Sequence, residues 1–321
     1  MKRREFLKSA ASAVGTGILL ASDVKSALAR EPKKDSENAV GLLYDSTTCI
    51  GCKACVWACK EANGMPPEHS SPDQLWDDPV DLSSKTLNII KMYKTGTGLE
   101  KNRENDGFSF VKRQCMHCTD PGCVSACPVS AMTKNPDTGI VEYNKDRCIG
   151  CRYCQVACPY NVPKFEWDKA IPQIRKCELC RHRLPEGKIP ACAEACPTGA
   201  TLFGKKKDLL AEARKRLELP TGSTYEYPIN VVEASYRLPQ EVAPYVSHIY
   251  GEREAGGTQC LMLSAVPHDK LGMPKLPEYS YAGQTENLQH TLYRGMIAPG
   301  ALFAGLLYAA YRTTKKEGDH E

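Results

Sequence analysis

Short segments with alternating apolar and polar residues recur along this chain, and several of them lead directly into cysteine-rich loops. The segments VGLLYD, FSFVKR and ATLFG alternate as strands do and predict three strands. ACVWACKEAN predicts a short helix that ends near Asn63, and AMTKNPDTGIVEY predicts a β-hairpin. KKDLLAEARKRLEL predicts an amphipathic helix with Leu209 and Ala213 on its apolar stripe and its basic residues on a solvated face.

Sixteen of the 17 cysteines fall into four runs of four along the chain. A proline directly follows the last cysteine of runs two, three and four, as in the bacterial ferredoxin pattern C-x2-C-x2-C-x3-C-P. The runs are Cys49, Cys52, Cys55 and Cys59; Cys115, Cys118, Cys123 and Cys127; Cys148, Cys151, Cys154 and Cys158; and Cys177, Cys180, Cys192 and Cys196.

This spacing is typical of a [4Fe-4S] cluster. Three closely spaced thiolates can surround one cluster, while the fourth points away and binds the neighbouring cluster. The runs are therefore expected to work in pairs, and four runs predict four clusters.

Other cysteine chemistries fit the spacing less well. Structural zinc takes four ligands from two separated C-x2-C pairs and does not need four crowded cysteines. Disulfides between such close cysteines would have strained geometry. No C-x-x-C-H segment indicates covalent haem. Cys260 stands outside the runs and is interpreted as a small buried hydrophobic residue rather than a ligand.

Composition excludes several classes of protein. The chain has 321 residues, 42% of them hydrophobic and 25% charged, which is an ordinary globular balance. Its net charge of +4 falls to about +1 without residues 1–29, so nucleic acid is not an expected partner. No nucleophile–base pair, phosphate-binding loop or open metal site is evident.

Residues 1–29 have the features of a signal peptide. A basic head precedes an Ala-, Gly- and Ser-rich apolar stretch and a small-residue exit at Ala27-Leu28-Ala29. The segment from Arg3 to Lys8 is similar to the twin-arginine export motif, although Lys2 stands where Ser or Thr is commoner. Clusters are built in the reducing cytoplasm, so export of the folded protein is expected.

A second apolar stretch, GMIAPGALFAGLLYAAY, lies near the C-terminus between basic residues. Its length is at the short limit for a membrane span, and a buried core helix is the alternative. We expect a transmembrane anchor at 291–312 and a cytoplasmic tail at 313–321, because Lys and Arg are in excess beyond the span. The rest of the chain would then lie on the periplasmic face of the inner membrane.

Two regions lack clear periodicity. An insert at 63–107, rich in Pro, Asp and Ser, is expected to cover a cluster or a partner surface. Residues 206–290 are expected to form an extension that contacts partner subunits, because beyond Pro220 the chain is rich in Pro, Gly and Tyr.

The four cysteine motifs together resemble the four-cluster ferredoxin-like subunits of membrane oxidoreductases, such as the beta subunits of formate dehydrogenase-N and dimethyl sulfoxide reductase. The motifs cover about residues 40–205. The resemblance implies an α+β fold with two bacterial-ferredoxin-like lobes, runs one and four forming one lobe and runs two and three the other. Cys151 stands where relatives with a three-iron cluster carry Trp, so four [4Fe-4S] clusters are implied.

The resemblance also implies which cysteines share a cluster. The implied sets are Cys49, Cys52, Cys55 and Cys196 for cluster 1; Cys59, Cys177, Cys180 and Cys192 for cluster 2; Cys115, Cys118, Cys123 and Cys158 for cluster 3; and Cys127, Cys148, Cys151 and Cys154 for cluster 4.

A closer likeness runs almost end to end. The leader, LLYDSTTCIGC, QCMHC, YGEREAGGTQ and TENLQHTLYRGM resemble the ferredoxin-like subunit of hydrogenase-2-type [NiFe] uptake hydrogenases. This resemblance implies an electron-transfer subunit between the small subunit of a periplasmic [NiFe] hydrogenase and an integral-membrane quinone-reactive subunit. Two alternatives stay open: the beta subunit of a molybdenum enzyme such as formate dehydrogenase, and a redox enzyme with its own substrate site under the insert.

Overall fold

The chain divides into two compact units, and every cysteine lies in the unit Pro32–Ala282. The computed structural model of the protein describes residues 33–69 and 78–317. The predicted signal peptide and the last residues of the predicted cytoplasmic tail lie outside the described residues.

Strands and helices alternate along the described residues. The strands are β1 (Val40–Asp45), β2 (Ile89–Lys94), β3 (Glu100–Lys101), β4 (Gly107–Arg113), β5 (Met132–Lys134), β6 (Val141–Tyr143), β7 (Lys164–Phe165), β8 (Ile174–Arg175), β9 (Thr201–Lys205), β10 (Thr224–Pro228), β11 (Arg237–Glu241) and β12 (Cys260–Leu263). The helices are α1 (Ala54–Ala62), α2 (Gly122–Ser125), α3 (Tyr153–Val156), α4 (Ala191–Glu194), α5 (Lys206–Glu218), α6 (Tyr281–Gly295) and α7 (Ile297–Glu317).

A three-stranded sheet in the order β12-β1-β9 supports the first cysteine run. β1 pairs with β12 in parallel and with β9 antiparallel, so both of its edges are satisfied. Successive side chains of a strand point to opposite faces. Leu43 accordingly packs in the core beside α5, while Leu42 and Tyr44 pack in the core that contains Cys49. This sheet therefore ends at the first ligand loop.

The predicted local elements are confirmed. β1, β4 and β9 are the three predicted strands, α1 ends at Ala62, and β5 and β6 form the predicted hairpin. The insert is more regular than its composition indicates, because β2 and β3 lie within it. Both strands pair with β4 in a sheet of order β2-β4-β3. The insert is thus joined by backbone hydrogen bonds to the strand that leads to run two.

The short helices pack in two pairs. α1 carries cysteines of run one and packs against α4 of run four, while α2 of run two packs against α3 of run three. This arrangement is the α+β, ferredoxin-type organisation that the motifs predict, and it brings together runs that are distant in sequence.

Part of the predicted partner-contacting extension packs on the chain's own cysteine unit. All four residues of β12 are buried, and their pairing with β1 completes the central sheet. The N–H groups of Gln259 and Cys260 also donate hydrogen bonds to the carbonyl of Met116 in run two. The sequence pattern did not predict β12, because this strand is buried on both faces and therefore lacks the alternation of apolar and polar residues.

One basic residue of α5 is not on a solvated face, contrary to the expectation from its sequence. Arg216 is fully buried. Its Nη1 lies 2.8 Å from a carboxylate oxygen of Asp45, and its Nε lies 2.9 Å from one of Glu212. The pairing ties α5 to the end of β1, immediately before run one.

We expect Arg216→Ala to lower the free energy of unfolding by about 3–5 kcal/mol, because it leaves the buried Asp45 carboxylate without its cation. The shift of the urea midpoint of the full-length, cluster-loaded protein measures this loss. Lys207→Ala is the matched control on the same helix, since Lys207 is 60% exposed and its change should stay within about 0.5 kcal/mol. Equal midpoints for the two variants would contradict the structural role of the buried pair.

The structure does not support the predicted single transmembrane helix at 291–312. α6 and α7 divide this segment, and within residues 33–69 and 78–317 no helix is long and apolar enough to cross a membrane.

Candidate functional site

The first and third cysteine runs have the same loop conformation. In run one, Gly51 and Lys53 have φ angles of 70° and 59°, and in run three Gly150 and Arg152 have φ angles of 72° and 65°. A side chain at Gly51 would meet the ring of Phe110, whose nearest atom lies 2.4 Å from an ideal Cβ position. Such left-handed positions wrap the backbone around a centre and turn its N–H groups towards it.

Run one and the last cysteine of run four lie close together. Burial is the main cause that raises the pKa of the Cys55 thiol, and its thiol neighbours are Cys49, Cys192 and Cys196. Cys49 likewise interacts with Cys196. Cys52, the remaining member of the predicted first set, is exposed. The structure thus brings together Cys49, Cys55 and Cys196.

A second group joins the end of run one to run four. Burial raises the pKa of the Cys59 thiol to about 12, and Cys192 and Cys180 add to the effect. Cys177 interacts with the same three cysteines, and burial is again the main cause that raises its pKa. All four members of the predicted second set are therefore neighbours.

Run two and the last cysteine of run three form the third group. Burial raises the pKa of the Cys118 thiol well above its ordinary value, and the neighbouring thiols are Cys158, Cys115 and Cys123. Cys158 and Cys123 each interact with Cys115 as well. The predicted third set is brought together completely.

The fourth group contains the rest of run three and the last cysteine of run two. Burial raises the pKa of the Cys154 thiol to about 11, and Cys127, Cys148 and Cys151 contribute to the rise. In every group, cysteines of one run meet the fourth cysteine of another, as the helix pairs α1–α4 and α2–α3 require.

Electrostatic interactions between thiols of different groups show that the groups are near one another. Cys55 of the first group interacts with Cys192 of the second. Cys177 of the second interacts with Cys115 of the third. Cys123 of the third interacts with Cys154 of the fourth. The thiol groups are thus connected one to the next, from first to fourth.

Backbone N–H groups donate to several of the sulfurs. The N–H of Ala131 donates to Cys127 Sγ at 3.2 Å, and that of Gly150 donates to Cys148 Sγ at 3.4 Å. The N–H of Leu179 donates to Cys177 Sγ, also at 3.4 Å. Hydrogen bonds to thiolate sulfur stabilise negative charge and tune cluster potentials. Groups of cysteines that are mostly buried or half-buried, supplied with such donors, fit a four-iron cluster.

His117 provides a further donor beside the third group. Its Nδ1 accepts a hydrogen bond from the N–H of Val141 at 3.0 Å, so the neutral ring carries its proton on Nε2. Nε2 is buried and has no hydrogen-bond partner among the described residues. A cluster sulfur would be a suitable acceptor for this N–H. His182, the other histidine beside a ligand, is exposed and pairs with the carbonyl of Ala62 instead.

The structure also bears on the alternatives of disulfides and a single bound metal ion. All 17 cysteines are free, so a disulfide framework is absent. In the described part of the chain, no three Cys, His, Asp or Glu side chains are placed to hold a single metal ion. A cubane cluster gives each thiolate its own iron and holds its ligands farther apart. Cys260 is buried as expected, and its Sγ donates to the carbonyl of Cys115 at 3.3 Å.

Two side chains near the thiols were missed from the sequence. Asn63 donates from Nδ2 to Cys59 Sγ at 3.6 Å. Lys112 is buried beside Cys192. The alternation of FSFVKR, which places Lys112 on the same face as Phe108 and Phe110, is the signal that could have identified it.

Comparison with known proteins agrees with this geometry. A family described as "4Fe-4S dicluster domain" matches residues 107–206, which contain runs two, three and four. The chain is 46% identical to the hydrogenase-2 operon protein HybA of Escherichia coli O157:H7, over the full length of both proteins. The chain belongs to the same family of iron–sulfur proteins as HybA. HybA of Shigella flexneri shows the same identity and coverage.

A second group of relatives consists of formate dehydrogenase iron–sulfur subunits. The nitrate-inducible formate dehydrogenase iron–sulfur subunit of Escherichia coli K12 is 32% identical, over 86% of this chain and 85% of that protein. Family membership and the four thiol groups together give the cofactor content, which is four [4Fe-4S] clusters.

Proposed function

We propose that this chain is the electron-transfer iron–sulfur subunit of a hydrogenase complex and performs no bond chemistry of its own. The observation that carries the proposal is its 46% identity, from end to end, to a hydrogenase-2 operon protein. The clusters, when bound, accept and release single electrons. The residues of this chain hold them, exclude water from them and supply hydrogen bonds to their sulfurs.

The proposed ligand sets follow the family pattern. Cys49, Cys52, Cys55 and Cys196 bind the first cluster; Cys59, Cys177, Cys180 and Cys192 the second; Cys115, Cys118, Cys123 and Cys158 the third; and Cys127, Cys148, Cys151 and Cys154 the fourth. The electrostatic interactions among the thiols described above support these sets, and the interactions between groups support electron passage from one cluster to the next.

Electrons would enter and leave at the two end groups. Exposed apolar side chains lie in the ligand loops of both ends, Ile50 and Trp57 in run one and Ile149, Tyr153 and Val156 in run three. Large apolar side chains at a surface are typical of protein–protein contacts. The proposed partners are the small subunit of a [NiFe] hydrogenase at one end and an integral-membrane, quinone-reactive subunit at the other.

The proposed location is the periplasmic face of the bacterial inner membrane, reached by twin-arginine export. The basic head and Ala27-Leu28-Ala29 exit of the leader support this proposal. We expect the double change Arg3→Lys and Arg4→Lys to leave cluster-loaded precursor in the cytoplasm. Fractionation with immunoblotting measures the export. Lys25→Arg, outside the motif, is the control. Undiminished export of the double variant would contradict the export route.

The composition of the purified complex tests the partner assignment. If this chain is isolated from membranes by an affinity tag, nickel should co-purify at about one equivalent and molybdenum should be absent. Formate dehydrogenase is the second candidate, since its iron–sulfur subunit is 32% identical to this chain. Molybdenum without nickel would transfer the assignment to that candidate.

A further inference from the structure

Lys112 is a buried lysine in the part of the fold that carries the clusters. It lies on β4 and is only 2% exposed. Alternate residues of a strand share a face, so Lys112 lies on the same face as Phe110. Phe110 packs against Gly51 in the first ligand loop. The strand therefore directs the lysine side chain towards the thiol groups.

The surroundings of Lys112 contain thiols rather than carboxylates. Its ammonium group lies near the thiols of Cys192, Cys55 and Cys196 and interacts with them electrostatically. Its Nζ donates a hydrogen bond to the Thr201 hydroxyl at 3.4 Å. Cys55 and Cys196 belong to the first proposed ligand set, and Cys192 belongs to the second. Lys112 thus lies near thiols of both proposed ligand sets.

A buried charge needs compensation. Arg216 is also fully buried, and the carboxylates of Asp45 and Glu212 compensate its charge. Within residues 33–69 and 78–317, no ion pair includes Lys112. Taking a charge out of water is strongly unfavourable unless an opposite charge is near. The anions that can compensate Lys112 are the cluster thiolates beside it.

We propose that Lys112 is the buried counter-ion of the first and second clusters and raises the reduction potentials of both. The inference rests on the proposed function and its ligand sets. Reduction of a cluster adds one electron and one negative charge, and no proton is transferred. A nearby cation in a poorly polar surrounding stabilises the reduced state more than the oxidised state.

Lys112→Met in the full-length chain, isolated in its complex, tests the proposal. Redox titration followed by electron paramagnetic resonance measures all the cluster potentials. At the wild-type midpoint, we expect the ratio of reduced to oxidised cluster to fall at least about tenfold for two clusters, which is a shift of about 59 mV for a one-electron couple. The other two clusters should keep their potentials.

Two matched variants separate charge from packing. Lys112→Arg keeps the charge and should keep all potentials close to wild type. Lys94→Met removes an exposed charge from the neighbouring strand β2 and should shift none. A packing role for Lys112 that does not depend on its charge would cost iron in the Arg variant as well, and it would not lower two potentials selectively.

Each outcome decides the proposal. Lys112→Met and Lys112→Gln proteins with full iron and unchanged potentials would overturn it, as would an Arg variant that behaves like the neutral ones. Loss of iron in both neutral variants, with full iron in the Arg variant, would support it. A wild-type complex with fewer than four clusters would contradict the cofactor assignment instead, so the two failures are distinguishable.

Discussion

Cells that lack this protein should lose hydrogen-dependent quinone reduction almost completely, while hydrogen oxidation with a soluble artificial dye should continue. Splitting hydrogen requires a nickel–iron centre, and this chain belongs to the iron–sulfur proteins that transfer electrons. In the proposed complex, the dye would take electrons directly from the hydrogenase, whereas a lipid-soluble quinone would need the electron path that this chain supplies. Parallel assays of one membrane preparation with dye and with quinone measure the two activities.

The matched control is a strain that expresses the protein with Cys260→Ala. Cys260 is buried but stands outside the cysteine runs, so quinone reduction should stay near wild type. Loss of formate oxidation with intact hydrogen metabolism would favour a formate dehydrogenase partner. Loss of the dye-linked hydrogen activity as well would show that the chain is needed for more than electron transfer.

Replacement of Cys158 by Ala should remove the third cluster rather than the fourth. The chain should then hold about twelve iron atoms in place of about sixteen, at four per cluster. The thiols that become free to alkylation should be Cys115, Cys118 and Cys123, because Cys158 is their neighbour in the fold. Iron analysis and mass spectrometry of the alkylated peptides measure both results.

Cys127→Ala is the reciprocal variant. It should free Cys148, Cys151 and Cys154 and leave run two protected, because Cys127 interacts with Cys154. If each run instead closed its own cluster, Cys158→Ala would free its own run and Cys127→Ala would free run two. That reversed pattern is the result that would refute the proposed sets.

Local patterns predicted much of this fold correctly. The strands before runs one and two, α1, the hairpin between runs two and three, β9 and α5 follow from alternation, turn residues and helical periodicity. These features depend on residues close together in sequence. The cofactor class could be predicted for the same reason, since three ligands of a cluster lie within one short loop.

Features that depend on distant residues were predicted less well. The pattern of α5 did not reveal that Arg216 is buried, because its partner Asp45 lies at the end of β1. Contact of residues 206–290 with other subunits stays a prediction, but their composition did not reveal that β12 completes the central sheet. The apolar stretch near the C-terminus resembled a membrane span, but its helix α7 falls short of the required apolar length.

The sequence by itself determined the number of cysteine runs, their ferredoxin-type spacing and the strands that lead into them, because short-range spacing and side-chain alternation control those features. Only the tertiary structure decided which runs meet, how the thiol groups connect and which charges are buried among them. Those properties arise when the helix pairs and the β12-β1-β9 sheet bring distant residues together and exclude water. Lys112 is the clearest example, since an ordinary lysine in the sequence becomes a buried cation between two groups of thiols.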